Sequence, residues 1–258
     1  MLNFKNINRI TLVLFIGLLI ISTFVSIPVF VFILVFVGWL IFTIIGSFNI
    51  TWNYHLDAYN FNKTCNKKHV AITFDDGPNA EFTPQVLDLL KAYHAKATFF
   101  CIGKHIEQQP KLVQQIITEG HTVGNHTYSH SEIFDFYGKQ KVIDEIETTN
   151  ALVASIINKE MILFRPPYGV TNPAITKAIK HTKHKVIGWN IRSLDTVKDN
   201  EQNILNRITK NITPGAVILL HDSQNITVRV LEQLLLFLQK NNYQSVTIDT
   251  LFNIEAYA

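Results

Sequence analysis

Charge is missing from one long stretch of this 258-residue chain: between Ile10 and Leu56 there is no Asp, Glu, Lys or Arg. Roughly 20 apolar residues cross a bilayer, and this run is about twice that length. It is too long for the apolar core of a cleavable signal peptide, and no small-residue cleavage site follows a short apolar run. Cysteine is scarce, with only Cys65 and Cys101, so a disulfide framework is not indicated. Cys101 lies within an apolar run and reads as a small buried hydrophobe, whereas Cys65 sits in a polar stretch. The formal net charge is only +3, and no basic stripe is interleaved with aromatics, which argues against a nucleic-acid partner. Outside the apolar region there is no internal repeat and no low-complexity tract.

What is present divides the chain in three. Residues 1–56 read as a membrane anchor of two transmembrane helices, 10–25 and 29–48, turning near Ser26, Ile27 and Pro28. One tilted helix followed by an interfacial helix is the alternative. Either arrangement makes the bilayer a partner. Residues 57–68 read as a polar linker, and 69–258 are enough for one well-buried α/β domain. In that domain strand-like apolar runs at 70–74, 97–102, 122–125, 162–165, 185–191, 216–221 and 245–248 alternate with helical patterns. The helical patterns fall at 84–93, 106–119, 139–157, 173–181, 202–211 and 227–240. Short apolar strands alternating with helices predict a parallel sheet covered by helices. About seven such units favour closure into a barrel, whose working residues gather at the carboxyl ends of the strands.

Several residues capable of chemistry fall at those ends. Asp75 and Asp76, in Thr73-Phe74-Asp75-Asp76-Gly77-Pro78, close the first apolar strand. Two adjacent carboxylates there need partners, either a cation or the backbone amides of an Asx-type turn. His126 and His130 follow a second strand, and four-residue spacing on a helical turn would put both imidazoles on one side of a divalent ion. An ordinary solvated turn is the other reading. Arg165-Pro166-Pro167-Tyr168-Gly169 is a stiff strand exit suited to presenting Arg165 and the Tyr168 amide to a fixed point, or simply a surface turn. His221 ends a strongly apolar strand, as a core histidine or a working one, and Asp195 lies where it could orient it.

Taken in order and spacing, Thr73–Pro78, His126-Thr127-Tyr128-Ser129-His130, Arg165–Gly169, Ser193-Leu194-Asp195 and Leu219-Leu220-His221-Asp222 resemble the motifs of the polysaccharide deacetylase family. These are the carbohydrate esterases sharing the chitooligosaccharide deacetylase homology domain. The resemblance covers about 68–249, most of the part outside the apolar region. It implies a distorted (β/α) barrel that removes N-acetyl or O-acetyl groups from sugars with a divalent metal, commonly zinc. Carried over by position, Asp76, His126 and His130 would be the metal ligands, Asp75 the general base and His221 the general acid. Arg165 would hold Asp75, Asp195 would set the charge state of His221, and the Tyr168 amide would help bind the oxyanion. One departure is Thr196, where the family often has Trp, which bears on one wall of the substrate groove.

The chemistry is consistent with these residues. A metal can lower the pKa of water from about 16 toward 7 and polarise an acetyl carbonyl. Asp75 would then take the water proton and His221 protonate the leaving nitrogen, and Phe74, Tyr128, Tyr168 and Trp189 could offer faces for a sugar. The expected activity is therefore deacetylation of an amino-sugar glycan such as peptidoglycan or a chitin oligomer. The anchored domain would stand on the extracellular or periplasmic face of a bacterial-type membrane. Two alternatives accompany it. Lys5 and Arg9 favour a cytoplasmic N-terminus, and a two-span anchor would then put the domain on the cytoplasmic face, acting on a lipid-linked sugar precursor. A catalytically silent glycan-binding relative is the other, opposed by the intact set Asp75, Asp76, His126, His130 and His221.

Overall fold

The computed structural model describes residues 2–197 and 200–258. Two apolar helices come first, α1 (Phe4–Ser22) and α2 (Val29–Phe48), each long and apolar enough to cross a membrane. They pack antiparallel. The Trp39 indole donates to the Asn8 side chain, and further along the pair the ring of Phe15 meets that of Phe32 at 6.1 Å. Helix α1 starts earlier than expected because the Asn3 side chain caps it, accepting from the Asn6 amide at 3.0 Å. Outward-facing Leu12, Val13, Val29 and Phe30 are exposed.

The remainder is built on nine strands: β1 (Ala58–Tyr59), β2 (His69–Asp75), β3 (Ala97–Cys101), β4 (Thr122–Asn125), β5 (Leu163–Phe164), β6 (Lys185–Ile187), β7 (Ile191–Arg192), β8 (Val217–His221) and β9 (Gln244–Ser245). All pair in parallel, in the order β1-β6-β5-β4-β3-β2-β8-β7, with β9 beside the start of β2. Around them lie α3 (Phe82–Ala92), α4 (Gly103–Gln108), α5 (Pro110–Thr118), α6 (Lys139–Ile157), α7 (Pro173–Thr182), α8 (Glu201–Thr209), α9 (Asn225–Lys240) and α10 (Ile248–Phe252). The sheet is a curled, distorted barrel with an open seam: among the described residues no strand pairing joins β1 to β7.

Four departures from the expected elements matter. The single strand expected over 185–191 breaks into β6, second from one edge of the sheet beside β1, and β7, which forms the other edge, so the chain crosses the seam through 188–190. There the Gly188 amide donates to Tyr59 O and the Asn190 amide to Val217 O. Gly188 packs so tightly against the Asn60 side chain that a Cβ would collide with it, and this close approach is the reason for the glycine. The first half of the expected linker 57–68 joins the sheet: β1 pairs with β6, Phe61 bridges Ala216, and the Asn62 amide donates to Gly215 O. Pro110, lacking an N–H, divides the helix expected over 106–119 into α4 and α5. Finally, the strand expected over 245–248 gives way after Ser245, because the Thr247 side chain caps α10.

Side-chain alternation along β2 sets up two layers. Val70, Ile72 and Phe74 pack outward with Leu87 and Leu90 of α3 and Leu231 and Leu234 of α9. Ala71 faces the interior with Phe100, Val217 and Leu219. Thr73 and Asp75 continue that inner row toward the carboxyl rim, so the interior turns from apolar to polar where the strands end.

Candidate active site

The site begins at the last residue of β2. Asp75 stands opposite Phe100 of β3 and opposite His221 of β8 in register, which brings a carboxylate and an imidazole onto neighbouring strand ends. Consecutive strand residues would point to opposite faces. Asp76 escapes this rule because its φ of 73° ends the strand and turns its carboxylate back over the same rim. Three groups hold that turn. The His105 ring donates from Nδ1 to Asp76 O at 2.7 Å, and the Ile102 amide donates to Gly77 O. Beneath the turn lies the buried carboxylate of Asp222, so close to Gly77 that any Cβ there would strike it. Asp222 accepts from the Thr83 hydroxyl, while its Oδ1 has no partner among the described residues. Burial pushes its carboxyl up to about 7. Sequence reasoning assigned nothing to His105 or Asp222. A lone histidine in a helical pattern carries no signal, whereas an aspartate closing an apolar strand does.

His126 and His130 face Asp76, as expected, although no helical turn brings them there. The loop after β4 does so with left-handed residues at Thr127 (φ 65°) and His130 (φ 45°). Asn125 accepts from the Thr127 amide, Thr127 Oγ1 from the His130 amide, and buried Glu145 of α6 from both the amide and the hydroxyl of Ser129. His130 Nε2 and His126 Nε2 stand 3.4 and 3.6 Å from Asp76 Oδ1. Ligands on one tetrahedral ion with bonds of about 2.0–2.1 Å lie roughly 3.3–3.4 Å apart, so this set has the right size. The rings are also correctly turned. His126 Nδ1 donates to the carbonyl of Arg165 at 2.7 Å, so Nε2 is the nitrogen that faces inward. Burial pulls His130 down to about 4, so it is neutral at neutral pH. The donors thus fit a divalent cation, and three protein ligands leave room for water and substrate.

Asp75 borders that triad with one oxygen and is tied elsewhere by the other. Its Oδ1 accepts from Arg165 at 2.6 Å, while Oδ2 stays 3.8 Å from His126 Nε2. Arg165 is 0% exposed. Its guanidinium also donates to Thr73 Oγ1 (2.8 Å), Ile187 O (3.2 Å) and Gly188 O (2.8 Å), and it lies 4.1 Å from the centre of the Phe100 ring. Burial depresses its pKa, and the charge and hydrogen bond of Asp75 oppose this. Arg165 therefore ties the Asp75 carboxylate to the carbonyls of the seam crossing.

Across the rim, His221 Nδ1 bonds to Asp195 Oδ1 at 2.8 Å, and Asp195 Oδ2 also accepts from the His221 amide. Ser193 and Thr227 donate their hydroxyls to the same carboxylate. Burial alone would lower the His221 pKa, but the bond and charge of Asp195, with Asp75 and Asp76 beyond, hold it up at about 9. Burial works upward on Asp195 and is outweighed by His221, so that carboxyl sits below its ordinary value. The result is an oriented imidazolium at neutral pH.

Tyr168 adopts φ 59° between Pro167 and Gly169, which also has a positive φ, and its ring is 4.9 Å from that of His130 and 48% exposed. Of the aromatics considered for sugar stacking, Phe74 is core, stacked on Phe99, and Trp189 is buried beside Arg165. Tyr128 bonds through its hydroxyl to Glu107, which leaves Tyr168 as the ring most open to a substrate. Thr196 is exposed and adds no ring to its side of the rim.

All eight anticipated residues therefore meet at one strand-end rim. Comparison with known proteins agrees with this geometry. Residues 62–187 match the family model for polysaccharide deacetylases. A peptidoglycan-N-acetylglucosamine deacetylase of Bacillus cereus is 39% identical over 194 residues, 72% of this chain and 89% of that one. A chitooligosaccharide deacetylase of Azorhizobium caulinodans is 33% identical over 160 residues, covering 62% and 76% of the two chains. Among solved structures, a peptidoglycan N-acetylglucosamine deacetylase in complex with an aryl N-hydroxybenzamide superposes with a TM-score of 0.73 at 32% identity, over 78% of this chain and 95% of that one. With the strand-end rim, its five motifs and relatives of this closeness all in agreement, this chain belongs to the polysaccharide deacetylase family.

Proposed function

We propose that this protein is a membrane-anchored, metal-dependent deacetylase that hydrolyses N-acetyl groups on amino-sugar glycans of the peptidoglycan or chitin type. The observation that carries the reading is the placement of two proton-handling groups, Asp75 and His221, on paired strand ends beside an Asp/His/His cluster. In this reading Asp76, His126 and His130 hold a divalent ion, with zinc the metal best suited to one carboxylate and two imidazoles. When bound, it would acidify water and polarise the acetyl carbonyl. Asp75, fixed by Arg165, accepts the proton of the attacking water. His221, already protonated and oriented by Asp195, delivers its proton to the departing amine nitrogen, so the products are acetate and the free amino sugar. The Tyr168 amide stabilises the oxyanion and the Tyr168 ring borders the sugar.

The full chain is expected to release acetate from chitin oligomers or peptidoglycan fragments, to lose that activity on chelation, and to regain it with added divalent metal. Asp76→Ala should abolish metal content and turnover together. Undiminished turnover in chelator, after elemental analysis confirms that metal has gone, would overturn the reading.

A second reading concerns the substrate's carrier, and two observations favour it. The antiparallel α1–α2 pair returns the chain to its starting side, so Lys5 and Arg9 lie on the same side as the folded domain. The Thr171 amide, two residues beyond the Arg165–Gly169 turn, donates to Ser47 O at the end of α2. The active-site rim is thereby tied to the membrane helix, which suits a lipid-linked amino sugar presented at the cytoplasmic surface. Cys65, a free and partly exposed thiol, reports the side. An impermeant thiol reagent should leave it unlabelled in intact cells if the precursor reading holds, and labelling from outside would return the substrate to the finished polymer.

A further inference from the structure

A cleft of about 490 Å³, lined by none of the eight rim residues, lies where the start of α1, residues 53–57 and one face of α7 come together. Its cationic lining is Lys5, Lys177 and Lys180, and its apolar lining includes Phe4, Tyr54 and Ile179. Lys177 and Lys180 are three apart on α7 and so share a face. All three lysines are exposed, and none forms an ion pair among the described residues. Asp57 is the one carboxylate at the cleft. His55 Nδ1, in the same lining, is buried without a hydrogen-bond partner among the described residues. The floor is firmly built: the Phe4 amide donates to Tyr54 O, His55 Nε2 meets Ser47 Oγ at 2.9 Å, and the rings of Phe4 and His55 lie 4.8 Å apart.

Its height is as informative as its charge. The uncharged run of α1 begins at Ile10. Lys5 stands five residues before it, about 7.5 Å up the helix axis. The polar layer on each side of a bilayer is roughly 5–8 Å thick, so the cleft opens at headgroup depth. We infer that this cleft binds the phosphate-bearing headgroup of an anionic phospholipid, with Lys5, Lys177 and Lys180 around the phosphate and Phe4, Tyr54 and Ile179 against the glycerol and first methylenes. The inference rests on the membrane-anchored reading above. Its consequence is to fix the roll of the domain on the membrane through α7, which follows directly on the active-site turn, rather than through the hairpin alone.

The test uses the full chain in nonionic detergent, with binding of phosphatidylglycerol and phosphatidylcholine of equal acyl length measured by native mass spectrometry. A lysine at a membrane surface adds about fivefold to the affinity for anionic lipid. Phosphatidylglycerol should therefore bind at least about tenfold tighter than phosphatidylcholine, and Lys177→Glu/Lys180→Glu should erase that preference. The same variant should deacetylate soluble chitin oligomers at the unaltered rate, since neither lysine belongs to the rim. Equal binding of the two lipids to the native chain, or a preference that survives in the double variant, would overturn the inference. Inorganic phosphate competing the lipid away at low millimolar concentration would also overturn it, by pointing to a free-anion site. Failure of the underlying reading looks different: the chain would not co-float with vesicles of either lipid.

Discussion

Asp75→Asn is expected to leave the metal content unchanged while lowering the rate of acetate release by about 10²–10⁴, the range associated with loss of a positioned general base. The expectation follows from how the two adjacent aspartates part. The left-handed turn at Asp76 puts its Oδ1 within 3.4 and 3.6 Å of the two imidazole Nε2 atoms, whereas Asp75 commits one oxygen to Arg165. Asparagine keeps the shape and still offers an oxygen to Arg165, but it cannot take up a proton at neutral pH. Rate and metal content must be read on the same preparation. Metal lost in parallel with rate would make Asp75 a ligand, and an undiminished rate would remove it from proton transfer. The contrast with Asp76→Ala, which should lose the metal itself, is what separates the two carboxylates.

Much of this arrangement is legible in the sequence because strand ends are. The apolar run before Asp75 and the run before His221 predict β2 and β8, and a parallel barrel puts their last residues on one rim. Backbone exceptions are not legible. Nothing in the residue types at Thr127 or His130 announces a positive φ, so the histidine pair looked helical when a loop held by Asn125 and Glu145 makes it. The break of 185–191 was equally hidden. Its strand-like pattern continues through Gly188, and only the close approach of Asn60 shows why the chain leaves β6 for the far edge of the sheet at β7. The polar composition of 57–68 concealed β1, whose stability comes from backbone pairing with β6 and from Asn60 and Asn62 bonds to distant carbonyls. Supporting groups such as His105 and Thr227 stayed silent because their roles depend on which segments the fold stacks together.

The second large effect is expected at Arg165. Arg165→Met nearly conserves length and keeps the contact with Phe100, yet it removes donors to Thr73, Asp75, Ile187 and Gly188 and strands a buried carboxylate. Breaking a buried ion pair from one side costs about 3–5 kcal/mol. For a domain of this size each kcal/mol moves Tm by about 2–4 °C, so the midpoint should fall by roughly 6–20 °C. Turnover, measured well below the new midpoint, should fall at least as far as in Asp75→Asn, because the carboxylate is then present without its anchor. Arg165→Lys should recover only part of the stability: an ammonium keeps the charge but lacks the planar fork that reaches a carboxylate and two carbonyls at once. A Tm unchanged within error in Arg165→Met would show that the seam does not depend on this residue. The double variant Asp75→Asn/Arg165→Met then divides its two duties. If the main role is to balance the Asp75 charge, the double variant should lose less than the sum of the singles, by about 1 kcal/mol or more. Strict additivity would instead place the stabilising work in the bonds to Ile187 and Gly188, where the chain crosses the open side of the barrel.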